Sequence, residues 1–251
     1  MTSLSIWEFH LIGLSFSFCA SIMAAATAFF WINTSQVTIA YRATVTITGI
    51  VTFIAAYNYF RLFQSWDAAF TLANGSVKET SAAFQGIFRY ADWFATVPLL
   101  VIELILVMRL PAKETFSRGS RLAIAALLMI GLGYPGTVSS VTWHEWLFGA
   151  LSMGPFLWIV WELYIGLGDA ISKQPPEARG LVSIARNTTV LVWFFYPVVY
   201  FFHIGYTGGI AVTIYNLGYT VADILAKVGF GIIIYMIAVR KSEAERRSSG
   251  A

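Results

Sequence analysis

The sequence predicts an all-α membrane protein: a seven-transmembrane helix bundle with a short β-hairpin in the second loop, which joins the second and third helices. Of its 251 residues, 58% are hydrophobic and only 12% are charged, whereas soluble domains contain about 25% charged residues. The mean hydropathy is +0.70. Apolar segments follow one another with short gaps, so we predict one membrane domain, 1–240, and a disordered cytoplasmic tail, 241–251.

Seven apolar segments are long enough to cross a bilayer, which takes about 20 mostly apolar residues. They cover residues 7–31, 39–64, 86–109, 119–137, 143–167, 183–206 and 211–240. In the connection at 65–85, Asn74-Gly75 stands between two β-prone stretches. This pattern predicts a two-residue hairpin turn.

The distribution of Lys and Arg predicts the orientation, because short cytoplasmic loops are enriched in both. The face that carries the C-terminus has twelve: Arg42, Arg109, Lys113, Arg118, Arg121, Lys173, Arg179, Arg186, Arg240, Lys241, Arg246 and Arg247. The opposite face has Lys78 and Arg61. We therefore expect a multi-pass protein of the cell (inner) membrane, with its N-terminus outside and its C-terminus cytoplasmic.

Several other classes of protein are not indicated. The basic residues form no nucleic-acid recognition motif, and the single cysteine, Cys19, excludes an intramolecular disulfide. The three histidines, His10, His144 and His203, fall on different segments, so we expect no metal site. No hydrolytic or redox chemistry is indicated, and we predict that the protein is not an enzyme. The lipid bilayer is the expected surrounding.

Five ionisable residues in mid-span positions are the important ones: Arg89, Asp92 and Glu103 on the third helix, and Asp223 and Lys227 on the seventh. Charged groups are costly in the hydrocarbon region, so each is a candidate functional residue that faces the bundle interior.

Asp223 and Lys227 are four residues apart and therefore share one face of the seventh helix. A structural ion pair between helices would explain them. A desolvated lysine is also a good nucleophile toward an aldehyde, with which it forms a Schiff base. The spacing alone leaves both interpretations open.

Glu103 lies eleven residues beyond Asp92, about 16 Å along the helix and near the same face. A static salt bridge would explain Arg89 and Asp92, but Glu103 has no cationic partner on its own helix. Burial favours the neutral form of such a carboxyl. It is therefore expected to be protonated at rest, as a proton donor has to be.

Three motifs resemble the microbial (type I) rhodopsins, and the likeness extends over essentially the whole chain. RYADWFATVPLL at 89–100 resembles their third helix, WFFYPVVY at 193–200 their sixth, and DILAK at 223–227 the helix with the retinal lysine. The resemblance implies that Lys227 carries all-trans retinal as a protonated Schiff base.

The resemblance also implies roles for the buried charges. Asp92 is the counterion and proton acceptor, Asp223 the second counterion, and Arg89 stabilises both. The signature residues Asp92, Thr96 and Glu103 resemble those of outward proton pumps of the proteorhodopsin and xanthorhodopsin kind, with Glu103 as the proton donor. Tyr59 is expected to join the counterion cluster.

Matched position by position, the implied retinal pocket contains Trp93, Thr96, Leu100, Met129, Gly133, Ser152, Phe156, Trp193, Tyr196, Pro197, Tyr200 and Ala226. Leu100 is at the spectral tuning position and resembles the green-absorbing forms. On the sixth helix, Trp193, Tyr196 and Tyr200 share one face, a pattern that taken alone is typical of plain packing.

Three positions depart from common family patterns. Asn58 stands where many relatives carry a histidine that bonds the counterion; it either tunes the counterion or bonds its polar neighbours. His203 is either a participant in proton release or a structural interfacial residue. Gly149 resembles the xanthorhodopsin-like pumps, where it opens a fenestration for a carotenoid antenna, although a helix-packing glycine would look the same.

The sequence thus predicts a light-driven outward proton pump, with a homo-oligomer, trimer or pentamer, implied by the family. The alternative is a retinal photoreceptor, a sensor without net transport, although sensors usually lack a carboxylic donor at Glu103. An inward pump is not expected to need that donor. A transporter without retinal would show inverted repeats and discontinuous helices, and neither is evident.

Overall fold

The computed structural model describes residues 4–249, except for the side chain of His203. Within this range, seven helices are long and apolar enough to cross a membrane. In chain order, and named below as the first to the seventh helix, they are Ile6–Asn33, Ile39–Ala69, Ile87–Met108, Ala112–Val138, Thr142–Gly166, Pro176–Gly205 and Gly209–Ser249. The predicted seven-helix bundle is confirmed, and the chain is a multi-pass membrane protein.

The predicted hairpin is also present. Strands Phe70–Ala73 and Ser76–Glu79 pair antiparallel. Asn74 and Gly75 join them with φ angles of 54° and 72°, both in the left-handed region that a tight two-residue hairpin turn requires. The Asn-Gly pair therefore forms the turn that reverses the chain between the two strands.

Two helices begin earlier than their apolar segments suggest. The fourth begins at Ala112 and the sixth at Pro176, rather than at 119 and 183. Their first turns are polar, with Lys113 and Glu114 in the fourth helix and Glu177 in the sixth, so hydropathy alone does not reveal them.

The prediction of a disordered tail is wrong for residues 241–249, because the seventh helix continues to Ser249. Lys241 is 4% exposed and Ser242 is fully buried. The Ser242 hydroxyl accepts a hydrogen bond from the backbone N–H of Thr38 at 2.9 Å. Contacts with other helices hold this polar end in place, and composition could not show them.

The fifth and seventh helices each contain a π-helical segment, Glu162–Gly166 and Ile224–Gly229. Such segments often occur at functional sites. The second of them contains Lys227. The sequence pattern did not indicate either segment.

The bundle buries its charges and exposes apolar side chains. All five mid-span ionisable residues are at most 2% exposed. Large apolar residues such as Ile39, Phe116 and Leu191 are more than 70% exposed on the outside. A soluble protein shows the opposite distribution of charged and apolar side chains, whereas a lipid surrounding requires this one.

Gly231 allows the seventh helix to approach the first and second. A Cβ atom there would lie 2.6 Å from Cγ2 of Thr48 and 2.8 Å from Cζ of Phe30, whereas one on Gly229 would meet nothing within 4 Å. We expect Gly231→Ala to lower the free energy of unfolding by about 1–3 kcal/mol through overpacking. Gly229→Ala is the matched control. Equal unfolding temperatures for the two variants would contradict this account.

Candidate functional site

The site is built around Lys227, whose ammonium lies between two carboxylates. Its Nζ atom is 2.6 Å from Oδ2 of Asp92, on the third helix, and 2.9 Å from Oδ1 of Asp223, one turn away on its own helix. All three side chains are at most 1% exposed. Buried charges require such pairing. The structure therefore brings Asp92, Asp223 and Lys227 together, as predicted for a counterion cluster.

The two carboxylates differ in how many donors hold them. Asp223 accepts hydrogen bonds from the hydroxyl of Tyr59 at 2.7 Å, from Nε1 of Trp93 at 3.0 Å and from the hydroxyl of Tyr196. These donors stabilise its charged form. Asp92 keeps Oδ1 buried without a hydrogen-bond partner among the described residues. Asp92 is therefore the carboxylate with free capacity for a proton.

Arg89 lies near this cluster without forming an ion pair with it. Its guanidinium donates to Oδ1 of Asn216 at 3.2 Å and lies over the ring of Tyr219, with the guanidinium carbon 5.2 Å from the ring centroid. Among residues 4–249, no carboxylate oxygen lies within 4 Å of it. The interpretation of Arg89 and Asp92 as a static salt bridge is therefore wrong, because Lys227 takes that place.

Glu103 is fully buried and separate from the other charges. The hydroxyl of Thr48, on the second helix, donates to Oε2 at 2.8 Å. Oε1 has no hydrogen-bond partner, and no cation lies within 4 Å of the carboxyl, in the part of the chain that the structure describes. A carboxyl in such surroundings is stable in its neutral form.

A largely apolar cavity leads to Lys227 from between the third, fourth, fifth and sixth helices. Its lining includes eleven of the twelve predicted pocket residues: Trp93, Leu100, Met129, Gly133, Ser152, Phe156, Trp193, Tyr196, Pro197, Tyr200 and Ala226. The exception is Thr96, whose hydroxyl donates to the backbone carbonyl of Asp92 at 2.8 Å. Thr96 thus belongs to the helix around the counterion rather than to the cavity.

Six lining residues were missed in the sequence: Tyr90, Val97, Ile130, Met153, Phe201 and Tyr219. Helical periodicity could have found them, because each lies three or four residues from a predicted site residue on its own helix. Tyr90 and Val97, for example, lie three residues before and four residues after Trp93 and therefore share its face.

The lining of the cavity suits an apolar aldehyde such as retinal. Aromatic and aliphatic side chains surround it, which suits a polyene. At its end lies the Nζ atom of Lys227, the group that an aldehyde requires for covalent attachment. Asp92 and Asp223 would balance the positive charge of this nitrogen in a protonated Schiff base.

Asn58 and Gly149 have local partners. The Nδ2 atom of Asn58 donates to the backbone carbonyl of Ile54 at 3.0 Å, within its own helix. A Cβ atom on Gly149 would lie 2.7 Å from Cε1 of Tyr200 and 3.0 Å from Cε1 of Phe201. The hydrogen bond favours the interpretation of Asn58 as a residue that bonds its polar neighbours, and the close approach favours Gly149 as a helix-packing glycine. The side chain of His203 lies outside what the structure describes.

The match to known proteins agrees with this geometry. The family model for bacteriorhodopsin-like proteins matches residues 10–241, and the chain belongs to this family, the microbial type I rhodopsins. Members of the family bind retinal.

Three relatives show how far the likeness extends. The crystal structure of xanthorhodopsin, described as a light-driven ion pump with dual chromophore, has 40% sequence identity and a TM-score of 0.93, covering 98% of each chain. That of thermophilic rhodopsin has 35% identity and a TM-score of 0.93, covering 98% of this chain and 99% of that one. The green-light absorbing proteorhodopsin of Gamma-proteobacterium EBAC31A08 is 29% identical over 92% of this chain and 87% of its own.

Proposed function

We propose that this protein is a light-driven outward proton pump that holds retinal covalently on Lys227. The observation that carries the proposal is the order of the groups: Lys227 Nζ donates to Asp92 at 2.6 Å, and Glu103 lies buried eleven residues further along the third helix. Retinal, when bound, supplies the absorption of light and the change of shape that releases the proton held at Nζ.

The first transfer runs from Nζ of Lys227 to Asp92. Oδ2 of Asp92 already accepts the hydrogen bond from Nζ, so the proton has only this short distance to travel. Asp223 keeps its charge because Tyr59, Tyr196 and Trp93 all donate to it. A proton that leaves Nζ is therefore transferred to Asp92 and not to Asp223.

The second transfer returns a proton to Nζ from Glu103. Glu103 lies about 16 Å from Asp92 along the third helix, and its partner Thr48 lies beside Gly231, one turn beyond Lys227 on the seventh helix. The excess of Lys and Arg at the C-terminal face supports a cytoplasmic C-terminus. Glu103 then takes protons from the cytoplasm, and Asp92 passes them outward past Arg89.

Glu103→Gln is expected to slow the return of the proton to Nζ by about 100-fold or more, in the range typical of a lost general acid. The first transfer to Asp92 is expected to keep its rate. Flash photolysis of the purified pigment separates the two steps. Glu177→Gln, at an exposed carboxyl of the sixth helix, is the matched control. A normal return rate in Glu103→Gln would remove Glu103 from the pathway.

The rival proposal is a photoreceptor without net transport. A sensor has no need of a fully buried carboxyl such as Glu103, which among the described residues has a single hydroxyl partner and no cation within 4 Å. Retinal-loaded protein in proteoliposomes distinguishes the two functions. A pump changes the internal pH in the light, whereas a sensor shows a photocycle and a constant internal pH.

A carotenoid antenna beside Gly149 is a further part of the proposal, supported by the likeness to xanthorhodopsin. The rings of Tyr200 and Phe201 occupy the space next to Gly149, so a carotenoid has to displace them. If it binds, carotenoid added to the purified pigment transfers excitation to retinal, and Gly149→Trp abolishes the transfer. A trimeric or pentameric assembly stays a prediction, which native mass spectrometry tests.

A further inference from the structure

Lys241 is a buried lysine that the proposed transport steps do not use. It lies near the end of the seventh helix and is 4% exposed. Its Nζ atom donates to the backbone carbonyls of Val107 at 2.8 Å and Met108 at 3.2 Å, and to the side-chain oxygen of Gln174. In residues 4–249, no carboxylate oxygen lies within 4 Å of this ammonium. The described acceptors of this positively charged ammonium are therefore all neutral oxygen atoms.

The acceptors are the last carbonyls of the third helix, which ends at Met108. The final carbonyls of a helix have no partner within it. Pro111, just beyond the end, has no N–H to offer them. The ammonium of Lys241 supplies donors and places a positive charge where the helix dipole favours it. A side chain of the seventh helix thus caps the C-terminal end of the third helix.

Gln174 extends this contact toward the sixth helix. Its Nε2 atom donates to the carbonyls of Met108 and Ala170, both at 3.1 Å. Its own backbone carbonyl accepts from the guanidinium of Arg179 at 3.1 Å, and the sixth helix begins two residues later, at Pro176. We name Lys241, Gln174 and the carbonyls of Val107 and Met108 the Lys241 latch.

The Lys241 latch lies one turn beyond Glu103, because Val107 is four residues further along the same helix. Glu103 is fully buried. In the proposed function, it has to take up one proton from this face in every cycle. The helix ends that enclose it therefore have to separate, and the latch is a contact that joins three of them.

We propose that the Lys241 latch closes the route from the cytoplasm to Glu103, and that its opening limits the rate of proton uptake by Glu103. This inference rests on the proposed function. Lys241 and Gln174 act here as positioning residues, since neither touches Lys227 or Asp92.

Two variants with opposite expected effects separate a latch from a purely structural cap. Lys241→Met removes the donor and loosens the latch. Gln174→Glu gives the ammonium a carboxylate partner and strengthens its contact with Lys241, because charge-assisted hydrogen bonds are the stronger ones; it also removes the hydrogen bonds that Nε2 donates to the carbonyls of Met108 and Ala170. A structural cap predicts loss of stability in a variant, but no opposite changes in the rate of proton uptake.

The measurement is time-resolved infrared spectroscopy of the retinal-loaded protein, following the carboxyl C=O band of Glu103, assigned with Glu103→Gln. We expect the band to recover about 10-fold faster in Lys241→Met and about 10-fold slower in Gln174→Glu, the change that one charged hydrogen bond produces. The transfer from Lys227 to Asp92 is expected to stay unchanged in both. Lys173→Met, at an exposed lysine nearby, makes the same charge change and is the control.

Recovery at the wild-type rate in both variants, or a change in the same direction in both, overturns the latch and leaves the pump intact. If Lys241→Met does not fold, Gln174→Glu decides alone, and unchanged recovery overturns the latch. A wild-type protein that acidifies the medium without any change of the Glu103 band refutes both the donor role and the latch. A protein without light-driven transport refutes the proposed function itself.

Discussion

Asp92→Asn is expected to form a coloured pigment with retinal and to lose light-driven proton transport by about 100-fold or more. Removing one partner of a buried ion pair typically costs about 3–5 kcal/mol, and here it also removes the carboxylate nearest to Lys227, the acceptor in the proposed pump. Asp223 remains as a counterion, so the pigment still forms. The measurement is the rate of light-driven pH change per molecule of pigment.

The matched control is Asp67→Asn, which makes the same change at an exposed aspartate on the second helix. It is expected to pump at the wild-type rate. Transport that persists in Asp92→Asn would show that Asp223 accepts the proton, in spite of its three other donors. The assignment of roles to the two carboxylates would then have to be reversed.

Lys227→Ala is expected to abolish covalent binding of retinal, and with it the visible absorption band and all transport. The Nζ atom of Lys227 is the amine at the end of the cavity, and the replacement leaves no nucleophile there. Reduction of the wild-type pigment with borohydride, followed by mass spectrometry, is expected to place retinal on the peptide that contains Lys227.

The control for this prediction is Lys78→Ala, in the β-hairpin, which is expected to form the pigment normally. The variant Lys227→Ala leaves two buried carboxylates without their cation, so circular dichroism has to show that it still folds. Retinal found on any other lysine would contradict the account of the site.

Hydropathy and turn chemistry were sufficient to predict the architecture. The seven spans follow from apolar length, and the hairpin from Asn74-Gly75, since both depend on neighbouring residues alone. Burial of the mid-span charges was also predictable, because a lipid surrounding allows no other place for them. Spacing put Asp223 and Lys227 on one face, and the structure shows them 2.9 Å apart.

What the sequence could not show depends on how helices are rotated and how closely they pack. Arg89 and Asp92 look like a pair on one helix, yet Lys227 from another helix occupies that place. Thr48 as the partner of Glu103 joins the second helix to the third. Lys241 looked like part of a polar tail. It is buried because its ammonium donates to the carbonyls that end the third helix. These carbonyls lie more than 130 positions earlier in the chain, so the local sequence does not reveal the contact.

The most direct test of the central claim is the external pH of cells that express the protein with all-trans retinal, recorded under green light. The account predicts acidification of the medium in the light, abolished by a protonophore and reversed in the dark. Alkalinisation would show that protons move inward and would contradict the order of Glu103 and Asp92 along the path. A pigment that leaves the pH unchanged would contradict the pump and support a sensor.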